Sequence, residues 1–282
     1  MLSQNNSIAV EALKKALLVR QEHGYKRTDA FCVFDLTEKI GIELRFVDVN
    51  SFEGAFVLTP KKNIHISANR PQARQRFTCA HELGHFFYNH GMSIDEAVDE
   101  ERCCDEGAQE LEANLFASFL LMPSTTVCGG FASRGLDINT ASPLDIYKVS
   151  TWLGVGYTTL IGHLHYGIKK LSADRFIELK TMFPKSIIEK FLGIEWGNSV
   201  YPVDAYWKGR PVDISINDLV ITPQLATIDG ENVKYMYSSN GCHYYLGVKP
   251  GIGKMSFDEW SSFVRVSRRP YIGRGKFRHL GE

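Results

Sequence analysis

The sequence has no excess of either charge: across 282 residues, 32 Lys and Arg stand against 32 Asp and Glu. That balance removes the broad electrostatic pull on which nonspecific binding to nucleic acid or membrane surfaces depends. No apolar run approaches the length of a transmembrane helix. The opening, Met1-Leu2-Ser3-Gln4-Asn5-Asn6, lacks the basic and apolar blocks of a secretion signal. Six cysteines (Cys32, Cys79, Cys103, Cys104, Cys128 and Cys242) form no C-x-x-C pair and no spacing typical of a disulfide framework. Together these absences lead to the expectation of a soluble, cytoplasmic protein with reduced thiols and no membrane contact. What is plentiful is apolar residues, 44% of the chain, enough for one large core or two ordinary ones.

His81-Glu82-Leu83-Gly84-His85 carries the most chemistry. Residues four apart share one face of a helix, so His81 and His85 can ligate one metal ion together. Glu82 can then hold a metal-bound water and take its proton, the H-E-x-x-H arrangement in which the glutamate is general base and not a ligand. Phe77, Cys79 and Ala80 precede the motif, and Phe86, Phe87 and Tyr88 follow it. A helix this apolar is expected to be buried, and buried imidazoles beside a carboxylate need a partner such as an ion. Upstream, Asn63-Ile64-His65-Ile66-Ser67 alternates as a strand does, and Ala68-Asn69-Arg70-Pro71 reads as a turn and helix start. An exposed edge on such a strand would suit an extended peptide substrate.

A zinc site of this kind needs a third protein ligand and one open position. The next helical run, 106–122, is rich in helix formers and stops at Pro123. Periodicity does not choose among Asp105, Glu106, Glu110 and Glu112. Glu112 shares its stripe with Ala108, Phe116 and Phe119 and is the costliest of the four to bury unpaired. Glu110 shares a face with Asn114 and could also point inward. The physical argument ranks Glu112 first without excluding Glu110.

The segments R-Q-R-F-T-C-A-H-E-L-G-H-F-F (74–87) and E-L-E-A-N-L-F-A-S-F-L-L-M-P (110–123) together resemble the ImmA/IrrE family of zinc metallopeptidases. The likeness runs over about residues 8–170. It implies a zincin-like fold, histidine ligands at His81 and His85, catalytic Glu82, and a third zinc ligand at the glutamate before the Ala-Asn pair, which is Glu112. The chemistry expected is peptide-bond hydrolysis. Zinc lowers the pKa of its water to about 7 and polarises the carbonyl, while Glu82 moves the proton to the leaving amine. Tyr88, His90, Tyr147 and His65 are candidate donors to the oxyanion that nothing in the sequence ranks. Cys103 and Cys104 lie between the two motif helices, where a thiolate could occupy the open zinc position; a plain connecting segment is the favoured reading.

The remaining texture suggests an α+β protein. Residues 8–22 read as an amphipathic helix with Ile8, Val10, Leu13, Leu17 and Leu18 among its apolar positions, and 25–40 as a second helix. Strands are expected at 42–49, 54–58 and 63–67. Residues 144–155 and 158–165 resemble a helix-turn-helix, but 156–163 lack Arg and Lys, so direct DNA binding is not expected. His163 and His165, two apart, read as surface residues. From residue 200 the chain turns to short β-type runs. Hairpin turns are expected at Asp229-Gly230 and Asn240-Gly241, a helix near 256–264 and a solvated basic tail at the end. The division expected is 1–125, a zincin-like metallopeptidase core; 126–196, a helical helix-turn-helix-like extension; and 197–282, a smaller, mainly β module.

The function expected is a zinc-dependent endopeptidase of narrow specificity. The resemblance implies a regulatory protein as target, such as a helix-turn-helix repressor or an antitoxin in a toxin–antitoxin pair. The competing expectation is a non-proteolytic regulator that binds a repressor through the zincin fold. An intact Glu82 argues for catalysis, since a structural site has no use for it.

Overall fold

The computed structural model describes residues 2–58, 60–96, 107–208 and 210–281. Cys103 and Cys104, and the acids Asp105 and Glu106, lie outside the described residues. By compactness the chain divides into two units, where texture suggested three segments. The first comprises Met1–Gly129, Leu153–Val155 and Ile272–Lys276, and the second Gly130–Trp152, Gly156–Tyr271 and Phe277–Glu282. The fold is mixed α+β, with the β-rich part toward the C-terminus.

The first unit opens with α1 (Leu2–Glu22) and α2 (Val33–Lys39). The inner face of α1 is Ala12, Ala16 and Val19, small side chains that let it lie close to its neighbours; Val10 and Leu18 are exposed instead. Arg20 is buried on the same face. Its guanidinium donates to the carbonyls of Leu120, Lys26 and Asp29, which explains why a charged group survives there. Burial lowers its pKa to about 10. The second helix is shorter than the sequence pattern suggests, because 25–31 form turns that supply these carbonyls.

Next come β1 (Glu43–Val47), β2 (Phe52–Val57), β3 (Asn63–Ser67), α3 (Gln72–Tyr88), β4 (Ser93–Glu96) and α4 (Ala108–Leu121). The tail returns as β13 (Gly273–Arg274), giving one sheet in the order β13-β1-β3-β2-β4. Strands β1 and β3 are parallel, with Phe46 opposite Ile66; the other pairs are antiparallel. Leu44, Ile64 and Ile66 are fully buried, each contributing about 1.5–3 kcal/mol. Strand β3 is therefore internal and offers no edge to a peptide. Among the described residues, the edge beyond β2 belongs to β4.

Helix α4 packs on α3 and α1. Together with the next helix, α5 (Ser124–Ala132), it spans a stretch long and apolar enough to cross a membrane by length and composition, although the sequence suggested no such run. Most of that stretch is buried inside the protein, as in a core helix.

The second unit contains α6 (Pro143–Leu153), α7 (Tyr157–Gly162), α8 (Ala173–Lys180) and α9 (Pro184–Leu192). Helix α7 runs on into a short π-helical turn in which His163 is buried. His165 stacks on Phe176 and hydrogen bonds the Leu171 carbonyl, so neither is a plain surface residue. Two four-stranded sheets follow. One is β5 (Val200–Pro202), β7 (Leu219–Thr222), β10 (Cys242–Gly247) and β9 (Val233–Ser239) in that order. The other is β6 (Val212–Ser215), β12 (Trp260–Ser267), β11 (Gly251–Phe257) and β8 (Thr227–Asp229). Ile188, Val200, Leu219, Ile221 and Tyr244 form one core cluster.

Asn240 (φ 51°) and Gly241 (φ 71°) make the expected hairpin turn between β9 and β10. Gly230 instead joins strands of different sheets. The helix expected near 256–264 is the β11–β12 hairpin, turning at Asp258 with φ 47°. The basic tail is only partly solvated, with Arg268, Arg269, Arg274 and Lys276 exposed. Arg278 is buried, Arg265 pairs with Asp213, and Arg274 lies 3.4 Å from Glu43.

Candidate metal centre

Helix α3 begins directly after Pro71 and ends at Asn89, which takes the left-handed conformation. Within it Thr78 through His85 are all buried, so the His81–His85 face points into the protein and not into solvent. Gly84 explains how α4 comes close enough to complete a site. A Cβ there would lie 2.8 Å from the Ala113 Cα, so only glycine permits this approach.

The close packing of the helices brings His81 Nε2 to 3.0 Å from His85 Nε2. Glu110 reaches both, with Oε2 at 3.2 Å from His81 Nε2 and Oε1 at 3.4 Å from His85 Nε2. One ligand atom from each of the three residues lies within 4.8 Å of the others. The acid that the structure brings to the histidine pair is Glu110, whereas the sequence argument ranked Glu112 first. Glu112 is the more buried of the two, with 26% of its side chain exposed against 38% for Glu110. Burial correctly marked Glu112 as needing a partner, but that partner is His90, whose Nε2 lies 2.9 Å from Glu112 Oε2. Residues two apart on a helix point in nearly opposite directions, so both cannot reach the histidine pair.

These residues fit a metal ion. Around an ion with bonds of about 2.0–2.1 Å, tetrahedral ligand atoms stand about 3.3 Å apart. The three spacings given above bracket that value. The outer nitrogens are also engaged, His81 Nδ1 lying 3.0 Å from Asn114 Oδ1 and His85 Nδ1 3.1 Å from His90 Nδ1. An Nδ1–H bound to an acceptor leaves Nε2 as the lone-pair nitrogen, the form that binds metals.

Glu82 is fully buried, and its Oε2 accepts a hydrogen bond from Ser93 Oγ at 2.7 Å. Ser93 in turn accepts from the Phe56 amide. Gly54 on β2 crosses the same place: a Cβ there would stand 2.5 Å from Glu82 Oε1 and 2.5 Å from Thr78 Cγ2. The edge strand β4 is thus joined to the candidate base through Ser93. Sequence reasoning missed Ser93 and Gly54. The alternation Met92-Ser93-Ile94-Asp95 was the available signal for a strand, and Asn114 was visible only as a residue sharing a face with Glu110.

The four candidate oxyanion donors are placed differently. His90 is occupied between His85 and Glu112. Tyr147 lies in the second unit and donates to the Val200 carbonyl, with burial pushing its phenol well up. Tyr88 stacks on His90 beneath Lys15 Nζ, and burial raises it to about 12. His65 sits on internal β3, where burial and Arg45 lower its pKa.

Residues 37–139, which contain this whole constellation, match a peptidase family model, the IrrE N-terminal-like domain. The resemblance of that segment to the IrrE-like peptidase family is thus supported. Its match ends at 139, before the β-rich sheets of the second unit. No curated protein matches the sequence. Among solved structures, a Mycobacterium tuberculosis transcriptional regulator is similar at 16% identity and a TM-score of 0.35, over 58% of this chain and 49% of that one. The chain thus spans about half the length of that protein. The matched segment contains the His81, His85 and Glu110 cluster that could hold a metal ion.

Proposed function

We propose that the protein is a zinc-dependent endopeptidase of narrow specificity acting on a regulatory protein. The observation that carries this is the placement of Glu82 on the same buried helix turn as two histidines that meet Glu110. A purely structural ion would be served by the ligands alone. Two imidazoles and one carboxylate with an open position suit zinc. The chemistry a bound zinc ion supplies here is Lewis acidity toward a water molecule and a substrate carbonyl.

The chain's own residues do the rest. Glu82 takes the proton of the attacking water and delivers it to the leaving amine. Ser93 fixes the rotation of that carboxylate by donating to Oε2. Strand β4, at the sheet edge, offers main-chain groups with which an extended substrate pairs, holding the scissile bond beside Glu82. The substrate proposed is a helix-turn-helix repressor or an antitoxin, on the strength of the family resemblance, in a reducing cytoplasm. Direct DNA binding forms no part of the reading, because residues 156–163 of the helix-turn-helix-like segment lack Arg and Lys.

The test compares new protein N-termini in cells expressing wild type or Glu82→Gln. Cleavages present only with wild type establish the peptidase and name its substrate. Identical profiles under the inducing stress overturn it in favour of a regulator that only binds its partner.

A further inference from the structure

The outer nitrogens of the two histidines meet different neighbours. Asn114 Oδ1 lies 3.0 Å from His81 Nδ1. Behind His85 stands a second imidazole, and behind that a carboxylate: His85 Nδ1 to His90 Nδ1 at 3.1 Å, then His90 Nε2 to Glu112 Oε2 at 2.9 Å. An ionised carboxylate only accepts, so His90 Nε2 carries the proton that points at Glu112. A neutral His90 then has its lone pair on Nδ1 and accepts from His85 Nδ1–H. This leaves the lone pair of His85 on Nε2, the atom that faces His81 and Glu110.

His90 is well held for such a task. It follows Asn89, whose left-handed φ of 56° turns the chain back, and its amide bonds the His85 carbonyl at 3.1 Å. Its ring stacks on Tyr88 at 5.4 Å, and its side chain is only 7% exposed. Tyr88 is itself covered by Lys15 Nζ, 4.0 Å above the ring, and that ammonium also binds the Phe87 carbonyl.

We propose that Glu112 and His90 are positioning residues that lock His85 in the Nδ1–H tautomer and so set the metal affinity of the centre. The proposal rests on the metal-site reading above. Carboxylates directly behind a ligating histidine are common; here an imidazole is interposed, so the effect of Glu112 passes through His90.

The experiment measures zinc affinity by competition with a chromophoric chelator. It uses the full chain as wild type, Glu110→Gln, His90→Gln, Glu112→Gln and the His90→Gln/Glu112→Gln double variant. The melting temperature of each metal-free protein and the visible spectrum of each cobalt-loaded protein accompany it. The expectation is that His90→Gln and Glu112→Gln each weaken zinc roughly 10–100-fold. The double variant should lose no more than the weaker-binding single one, and metal-free melting should stay unchanged. The cobalt spectrum should shift in both single variants, and Glu110→Gln should lose more affinity than either.

Unchanged zinc affinity in both single variants overturns the relay. So do additive losses in the double variant, or losses tracked by metal-free melting, which would mark a packing role. Loss of zinc in Glu112→Gln with retention in Glu110→Gln would make Glu112 the ligand and overturn it too. A wild type that binds no zinc overturns the metal-site reading itself, a result distinguishable from all the others.

Discussion

The candidate metal centre of the first unit and the second unit treat buried polar groups in opposite ways. In the second, each buried acid is met by donors. Asp213 receives Arg265, with Nη2 at 2.7 Å, and Asp218 accepts the amides of Ser215 at 2.7 Å and Ser199 at 3.1 Å. Arg134 grips Asp204 through two nitrogens, at 2.7 and 2.9 Å. At the candidate metal centre two imidazole nitrogens and a carboxylate instead converge on one another, 3.0–3.4 Å apart. Donor-to-acceptor pairing fixes a structure, whereas converging acceptors call for a cation from outside. Burial is common to both regions and does not distinguish them; the direction of the hydrogen bonds does.

The strongest way to break this contrast is to remove an acceptor from the first unit. His85→Ala or Glu110→Ala should take bound zinc from one equivalent to almost none, an affinity loss of about a thousand-fold or more. Metal content after dialysis against a weak chelator measures it. Glu82→Gln should retain the metal while lowering the cleavage rate about 10²–10⁴-fold. A Glu82→Gln protein that still cuts its substrate at the wild-type rate would sink the mechanism.

An equally buried acid of the second unit should behave in the reverse manner. Asp213→Ala leaves the guanidinium of Arg265 in place without its carboxylate, at a cost of about 3–5 kcal/mol in unfolding free energy. Zinc content should not change. A large loss of zinc in that variant would erase the distinction drawn between the regions.

His279 sharpens the contrast with pH. It is 7% exposed beside Asp213, and burial, together with Arg278 and Arg265, lowers its pKa to about 4, against an unfolded value near 6.5. The folded state thus binds its proton less readily than the unfolded one. Stability from this group is complete above pH ~6.5 and drains away as pH falls through ~4, a loss of up to about 3 kcal/mol. His279→Leu should flatten the unfolding midpoint over that window. A profile as steep as wild type would show that other groups carry it.

How much of this could be read beforehand depends on whether the spacing or the surroundings decide a residue's role. His81, Glu82 and His85 were legible because a helix fixes their relative directions and α3 forms where expected. Glu112 was ranked ahead of Glu110 because its stripe with Phe116 and Phe119 signalled burial, and burial ranks acids by their need of a partner, not by which partner they find. Nothing along α4 announces that the loop after α3 returns His90 to meet it. The 256–264 hairpin was missed for a related reason: Asp258 and Glu259 resemble a helix start, and only the alternating burial along β11 and β12 shows otherwise. Likewise, Ile272–Lys276 of the basic tail joins the N-terminal unit by pairing Arg274 with Arg45, 229 residues away in sequence, about which local pattern is silent.

The smallest effect expected tests the joint on which the first region depends. Gly84→Ala adds one methyl group where α3 and α4 touch, 2.8 Å from the Ala113 Cα and 3.2 Å from its Cβ. Both atoms belong to Ala113 on α4 and cannot rotate away as a long side chain would, so the helices must separate by a few tenths of an ångström. Overpacking of this kind costs about 1–3 kcal/mol, read from denaturant unfolding of the metal-free protein. Glu110 and Asn114 ride on α4 while His81 and His85 ride on α3, so the same separation should also weaken zinc binding. Gly130→Ala, where the added Cβ would meet the Trp152 ring at 2.5 Å in the second unit, provides the matched control. It should lower stability by a similar amount and leave zinc affinity alone.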